Sequence, residues 1–291
     1  MTWHQLLEPY QFAFFRHGVI VATIAGGLCG LIGVYVVLRG MSSIGHGLSH
    51  AIFGGAAASA VVGFNFFAGA GLWGFASALM IGRVSRRRVI GSDAAIGVIT
   101  TASFALGLAL IGIFGTASKS IDATLFGSIL GISTAEVWTV AGVAVIAALI
   151  VFFRYRALLF TTFDPEVAEV SGVSPGRVDA LLMLMLAASI LATMQILGVV
   201  LVAATLVVPA AVARLLTNSF SHLLGLSAVI GAVSGFVGMN LSYHLDISSG
   251  ATIVLVSSAA FLLVFLFTGP LGLRPRTRGT APAPRSDPAA L

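Results

Sequence analysis

Two histidines stand four residues apart in MSSIGHGLSHA, the segment from Met41 to Ala51. On a helix, positions i and i+4 are neighbours on one face. His46 and His50 would then present two imidazoles to one point, with Ser43 on the same side. Such a pair can ligate a divalent cation, since imidazole suits zinc, copper, iron and nickel. It can equally act as a hydrogen-bonded packing pair, and spacing alone leaves both readings open. The residues between them are Gly-Leu-Ser, without the glutamate of HExxH, which argues against a zinc protease. His244 and Asp246, in NLSYHLDISSG, form a weaker candidate for a cation near an outer mouth.

A different chemistry is spent in RYRALLFTTFDPEVAEVSGVSPGR, residues 154–177. Asp164 has the position of an N-cap, Pro165 that of the first helical residue, and Gly172 that of a stop. Val167, Ala168 and Val170 form an apolar side. The spacing predicts a short amphipathic helix, either a docking element for a soluble partner or an ordinary interfacial helix.

The elements that must carry these residues follow from composition. Of 291 residues, 58% are hydrophobic and 9% are charged, and the mean hydropathy is +1.07. A soluble domain carries roughly 25% charged residues. Lipid must therefore be the solvent, and the backbone must satisfy its own hydrogen bonds. The apolar runs are long and continuous rather than short and alternating, which selects helices over a barrel. The expected fold is all-α: a polytopic transmembrane helix bundle of about eight or nine spans. Candidate spans are 17–38, 46–66, 68–84, 93–115, 135–154, 177–195, 197–216, 223–241 and 250–268. The 177–216 run is expected to turn around Gln195 to Gly198, and the 46–84 region can hide a broken helix.

Residues 1–16 read as an interfacial N-terminal segment, 17–270 as the transmembrane domain and 271–291 as a disordered, Pro- and Arg-rich tail. The run from Val19 to Leu38 is too long for a cleaved signal. The net charge of +5 comes with arginines placed between spans and in the tail, at Arg83, Arg86 to Arg88, Arg154, Arg156 and from Arg274 on. This pattern orients helices and points away from nucleic acid. It puts the 82–89 and 154–177 loops and the tail in the cytoplasm, and the N-terminus outside if all nine runs cross. Cys29, the single cysteine, excludes an intrachain disulfide and reads as a small buried residue. Pro209 interrupts a span, Asp93 is placed to cap the next helix, and the 34 glycines predict close helix contacts. No GxxxxGK[ST] occurs, so ATP-driven transport would need a separate ATPase. The few carboxylates argue against a proton pump.

Several stretches, in order, resemble one family: LRGMSSIGHGLSHAIFGG at 38–55, GSDAAIGV at 91–98, LFGSILGIS at 125–133, TTFDPEVAEVSGV at 161–173, ATMQILGVVLVAATLVVPAA at 192–211 and DISSGATIVLV at 246–256. The chain is similar to the permease subunits of ABC importers for zinc, manganese or iron(II). The resemblance covers nearly everything except the tail. It implies that the chain is no enzyme itself and resides in a prokaryotic cell membrane. It also implies three partners: a cytoplasmic ATPase, an extracytoplasmic metal-binding protein and a second permease subunit, most simply a second copy. No permanent cofactor is implied, only transported Zn2+, Mn2+ or Fe2+.

By the same resemblance, Phe163, Asp164, Pro165, Glu166, Ala168, Glu169 and Gly172 belong to a coupling helix that sits in a groove of the ATPase. His46 and His50 line the metal path. The family usually has Asp where this chain has His46, and losing that hard oxygen ligand tilts the preference towards zinc. Other readings are a permease for a metal chelate, a stand-alone ion-coupled carrier, and a membrane metalloenzyme lacking an evident third ligand.

Overall fold

The computed structural model describes residues 8–86, 92–114, 127 and 132–268. Expectations for residues 1–7, Arg87 and Arg88, most of the 115–131 connection and the tail lie outside the described residues. A 3-10 turn at Glu8–Gln11 leads into α1 (Ala13–Leu38), α2 (Ser43–Val62), α3 (Phe66–Arg86), α4 (Ser92–Phe114) and α5 (Thr134–Phe153). Two short helices follow, α6 (Tyr155–Phe163) and α7 (Pro165–Val170). The remainder is α8 (Pro175–Leu197), α9 (Val202–Leu216), α10 (Phe220–Leu245) and α11 (Ser249–Thr268).

Seven of these, α1, α3, α4, α5, α8, α10 and α11, are long and apolar enough to cross a membrane. The α9 helix is apolar but shorter. The α2 helix is 20 residues long, yet two histidines, three serines and four glycines dilute its hydropathy. The expected helical membrane bundle is observed; among the described residues α2 and α9, with the short α6 and α7, fall outside the seven.

Several helix boundaries differ from those expected by a few residues. The first span starts at Ala13, so residues 13–16 of the segment read as interfacial are part of its helix. Phe15 is buried and packs edge-on against Tyr10 and Tyr243. The α2–α3 break falls at Gly63, in the left-handed region (φ 73°), and Asn65 Oδ1 accepts from the backbone N–H groups of Phe67 and Ala68. The turn expected at Gln195 to Gly198 begins only at Gly198 (φ 79°), and α9 resumes at Val202. Pro209 stays inside α9. Asp93 is not an N-cap: it lies in the first turn of α4 and its Oδ1 accepts from Ser43 Oγ of α2 at 2.7 Å.

Small residues set the packing. The α1 and α10 helices run antiparallel with Gly26 against Gly231, Gly30 against Ser227 and Ala22 against Gly235. A Cβ on Gly26 would collide with the carbonyl oxygen of Gly231, and one on Gly231 with that of Gly26. Ser227 Oγ donates to the Gly30 carbonyl at 2.6 Å, closing the seam with a polar contact. Parallel to α2 runs α4, with Gly47 meeting Ile96 and Thr100, and Gly54 meeting Ser103 and Phe104. Other buried hydroxyls stay within their own helices: those of Thr100, Ser189, Thr193 and Ser257 donate to the carbonyl one turn back. Without water in a bilayer core, this is the nearest available acceptor. Large apolar side chains such as Trp138, Phe152 and Phe153 point outward from α5, as a lipid-facing surface requires.

Candidate functional site

The α2 helix starts at an exposed Ser43 and becomes buried from Ile44 and Gly45 on. Leu206 of α9 packs against Gly33 of α1 and, at 3.1 Å from the position of a Cβ, against Gly45 of α2. Gly33 is five residues short of the end of α1, about 8 Å at the usual helical rise. His46 follows the buried Gly45 directly, so the histidine pair starts where α2 meets α9.

The i, i+4 expectation is met. His46 Nε2 and His50 Nε2 lie 3.0 Å apart, with ring centroids at 4.4 Å and planes nearly perpendicular. Either nitrogen can donate to the other, according to tautomer. His46 is exposed on the isolated chain and His50 is partly buried, its ring against Phe104 of α4 at 4.5 Å. Ser49 Oγ turns back to the His46 carbonyl at 2.8 Å and leaves the imidazoles unhindered. A cation held at about 2.05 Å from both nitrogens would subtend an N–metal–N angle of about 94° at this spacing. That fits an octahedral bite, and a shift of a few tenths of an ångström reaches the tetrahedral one. Among the described residues, no group of three or more His, Cys, Asp or Glu converges on a point.

The 163–173 segment folds as its residues dictate. Asp164 Oδ1 accepts from the N–H groups of Glu166 and Val167 at 3.1 and 3.0 Å, and Pro165 opens α7. At the other end Gly172 takes φ 80°, its N–H bonds to the Glu169 carbonyl, and the Val173 N–H bonds to the Ala168 carbonyl. That is a Schellman stop. Of the three residues read as one apolar side, Ala168 is fully buried whereas Val167 and Val170 are exposed, Val170 to 90%. They face out beside Glu166 and Glu169. An open groove of about 520 Å³ lies alongside, lined by Pro165, Glu166, Glu169, Gly172, Val173 and Pro175. Phe163 projects from the end of α6 onto Phe220, ring centroids 5.8 Å apart. Replacing Asp164 with Ala removes the cap and is expected to cost α7 about 1 kcal/mol. Hydrogen exchange of residues 166–170 should rise several-fold while the spans stay protected; unchanged exchange would contradict the capping role.

His244 and Asp246 sit at the opposite end of the bundle from His46 and His50. The antiparallel α1–α10 pairing puts the end of α10 beside Tyr10, whose hydroxyl donates to Asn240 at 2.8 Å. His244 packs on Tyr243, and Asp246 is the exposed C-cap of α10 at φ 55°. The structure does not bring these two to the histidine pair.

One feature escaped the sequence reading. Arg39, the C-cap of α1, places Nη1 2.6 Å from Asp179 Oδ1 and Nε 3.3 Å from Thr162 Oγ1. The signal was present: an Arg and an Asp at the ends of two apolar runs, in a chain with so few charges, should find each other.

Residues 11–268 match the ABC 3 transport family. This chain belongs to that family. The matched stretch takes in the histidine pair of α2 and the whole of the 163–173 segment. Among relatives, this ABC 3 transport chain is 39% identical over 267 residues to the manganese transport system membrane protein MntC of Halalkalibacterium halodurans, covering 91% of each. It is 34% identical over 263 residues to a probable iron transport system membrane protein of Haemophilus influenzae, covering 90% of this chain and 97% of that one. Its fold is similar to a chain of PsaBC from Streptococcus pneumoniae, solved in complex with Fab. The TM-score is 0.81 at 32% identity, covering 91% of this chain and 95% of that one. The ABC 3 transport family and the seven apolar helices together make this a multi-pass membrane protein.

Proposed function

We propose that this chain is the membrane-spanning permease subunit of an ATP-driven importer for divalent metal cations. The observation that carries the reading is the His46–His50 pair, two imidazole nitrogens 3.0 Å apart inside a helical membrane bundle. Imidazoles at membrane depth are expensive and mark ion pathways more often than lipid-facing surface. The names of similar proteins, for manganese and for iron transport, support the same class of cargo.

The path is completed by a second permease subunit, most simply a second copy. His46 is exposed on the isolated chain, where lipid would be a poor neighbour, and two nitrogens are too few to hold a cation alone. A transport site must also release, so a small and adjustable ligand set suits the task. The α7 segment, with Val167, Val170, Glu166 and Glu169 facing outward, docks on a cytoplasmic ATPase. The arginines flanking it place that end in the cytoplasm. An extracytoplasmic binding protein delivers the cation at the other end, near His244 and Asp246.

On ligand chemistry the pair favours zinc, because His46 brings a borderline nitrogen where a carboxylate would bring a hard oxygen. Manganese is the second reading, favoured by the name of the 39%-identical relative. Uptake by vesicles holding the permease, its ATPase and its binding protein, with zinc, manganese and iron(II) compared side by side, tests both. Zinc is expected to lead in the wild type, and His46→Asp is expected to raise the manganese-to-zinc ratio roughly tenfold, a change of about 1.4 kcal/mol. A ratio that does not move removes His46 from the selectivity of the path. No ATP-dependent uptake of any metal would end the importer reading.

A further inference from the structure

Arg39 joins three elements that are far apart in sequence. Its Nη1 holds Asp179 at 2.6 Å and its Nε reaches Thr162 at 3.3 Å, with the two charged side chains only 11% and 17% exposed. Thr162 is the penultimate residue of α6, two positions before the cap of α7. Asp179 lies in the second turn of α8, just beyond the Gly172–Ser174 stop. One guanidinium therefore grips both arms of the hairpin whose tip is α7. On its other side, Arg39 is followed by Gly40 (φ 66°), Met41 and Ser42, and then by α2. His46 is seven residues away.

A second joint lies one turn back along α1. The Phe220 ring meets Tyr35 of α1, Tyr155 of α6 and Phe163 at centroid distances of 5.7, 5.5 and 5.8 Å. The rings can slide over one another, whereas the forked guanidinium fixes direction as well as distance. A buried ion pair is a poor way to add stability, since desolvation offsets most of its attraction. What it does supply is a rigid link. Its Nη2 is buried without a partner among the described residues, so the guanidinium keeps a donor for a second arrangement.

We propose that Arg39 is the positioning residue that carries movement of the α7 hairpin to α2, so that the ATPase changes access to His46 and His50. The proposal rests on the permease reading above and names the part that transmits the stroke.

The test uses the full complex in vesicles and measures zinc taken up per ATP hydrolysed. Arg39→Gln is expected to assemble with the ATPase and to hydrolyse ATP at close to the wild-type rate. Its uptake per ATP should fall roughly tenfold, within the usual span of coupling between sites. Exchanging the charges, with Arg39→Asp and Asp179→Arg together, is expected to recover much of that ratio. A purely structural Arg39 would lower uptake and hydrolysis together, leaving the ratio unchanged, and that result overturns the proposal. If Arg39→Gln does not accumulate, Thr162→Val makes the same measurement with one hydrogen bond removed, and an unchanged ratio there overturns it equally. A wild-type complex that moves no metal sinks the permease reading and this proposal together. A working wild type beside an equally coupled Arg39→Gln sinks this proposal alone.

Discussion

Gly231→Leu is expected to leave almost no folded protein in the membrane. The Cβ alone would strike the Gly26 carbonyl oxygen, and the reciprocal contact is equally blocked. The obstacle is backbone on both sides, so no rotamer change relieves it. The α1 and α10 helices would have to separate, which also opens the Gly30–Ser227 and Ala22–Gly235 approaches and the 2.6 Å bond from Ser227. Overpacking against side chains costs about 1–3 kcal/mol. Losing this seam should exceed about 4 kcal/mol, the range reserved for severe core damage. Gly225→Ala, on the same α10 helix, is the control: its Cβ would meet nothing within 4 Å. It should be neutral or slightly stabilising, by up to about 1 kcal/mol. Detergent size-exclusion yield and thermal unfolding read both. A Gly231→Ala protein with the yield and melting temperature of the wild type would show that the seam is not as close as described.

The second large effect is on transport. His50→Ala removes one of the two nitrogens that face each other at 3.0 Å, and also the ring that packs on Phe104. His50→Phe keeps a ring there and removes only the nitrogen. Both are expected to lower metal uptake by at least roughly tenfold, since even losing an outer partner of a metal ligand weakens binding 10–100-fold. The comparison separates ligation from packing. If His50→Phe transports like the wild type while His50→Ala does not, His50 is a packing residue and the pathway lies elsewhere. Thermal stability is expected to fall only for His50→Ala.

Much was legible from local chemistry. A chain that is 9% charged, with apolar runs near the length of a bilayer, has no solution but a membrane helix bundle. The i, i+4 spacing put His46 and His50 side by side because helical periodicity does so wherever a helix forms. Asp164, Pro165 and Gly172 set the ends of α7 because N-caps, N1 prolines and left-handed glycines act through their own backbone neighbours. These are short-range effects, and no tertiary context was needed to read them.

What needed the tertiary structure is everything that depends on which helix lies beside which. Apolar runs do not say that Gly26 meets Gly231, since lipid tails are as apolar as leucine and hydropathy carries no partner information. The outward turn of Val167 and Val170 followed from Ala168 taking the buried face, a choice made by packing. Asp93 looked like a cap and instead holds Ser43 across helices, because α4 already begins at Ser92. Arg39 and Asp179 are 140 positions apart in the chain and become neighbours only when α1, α6 and α8 converge. Sequence determined the solvent, the helices and the two imidazoles; the fold alone decided their depth, their exposure and the ionic link that leads to them.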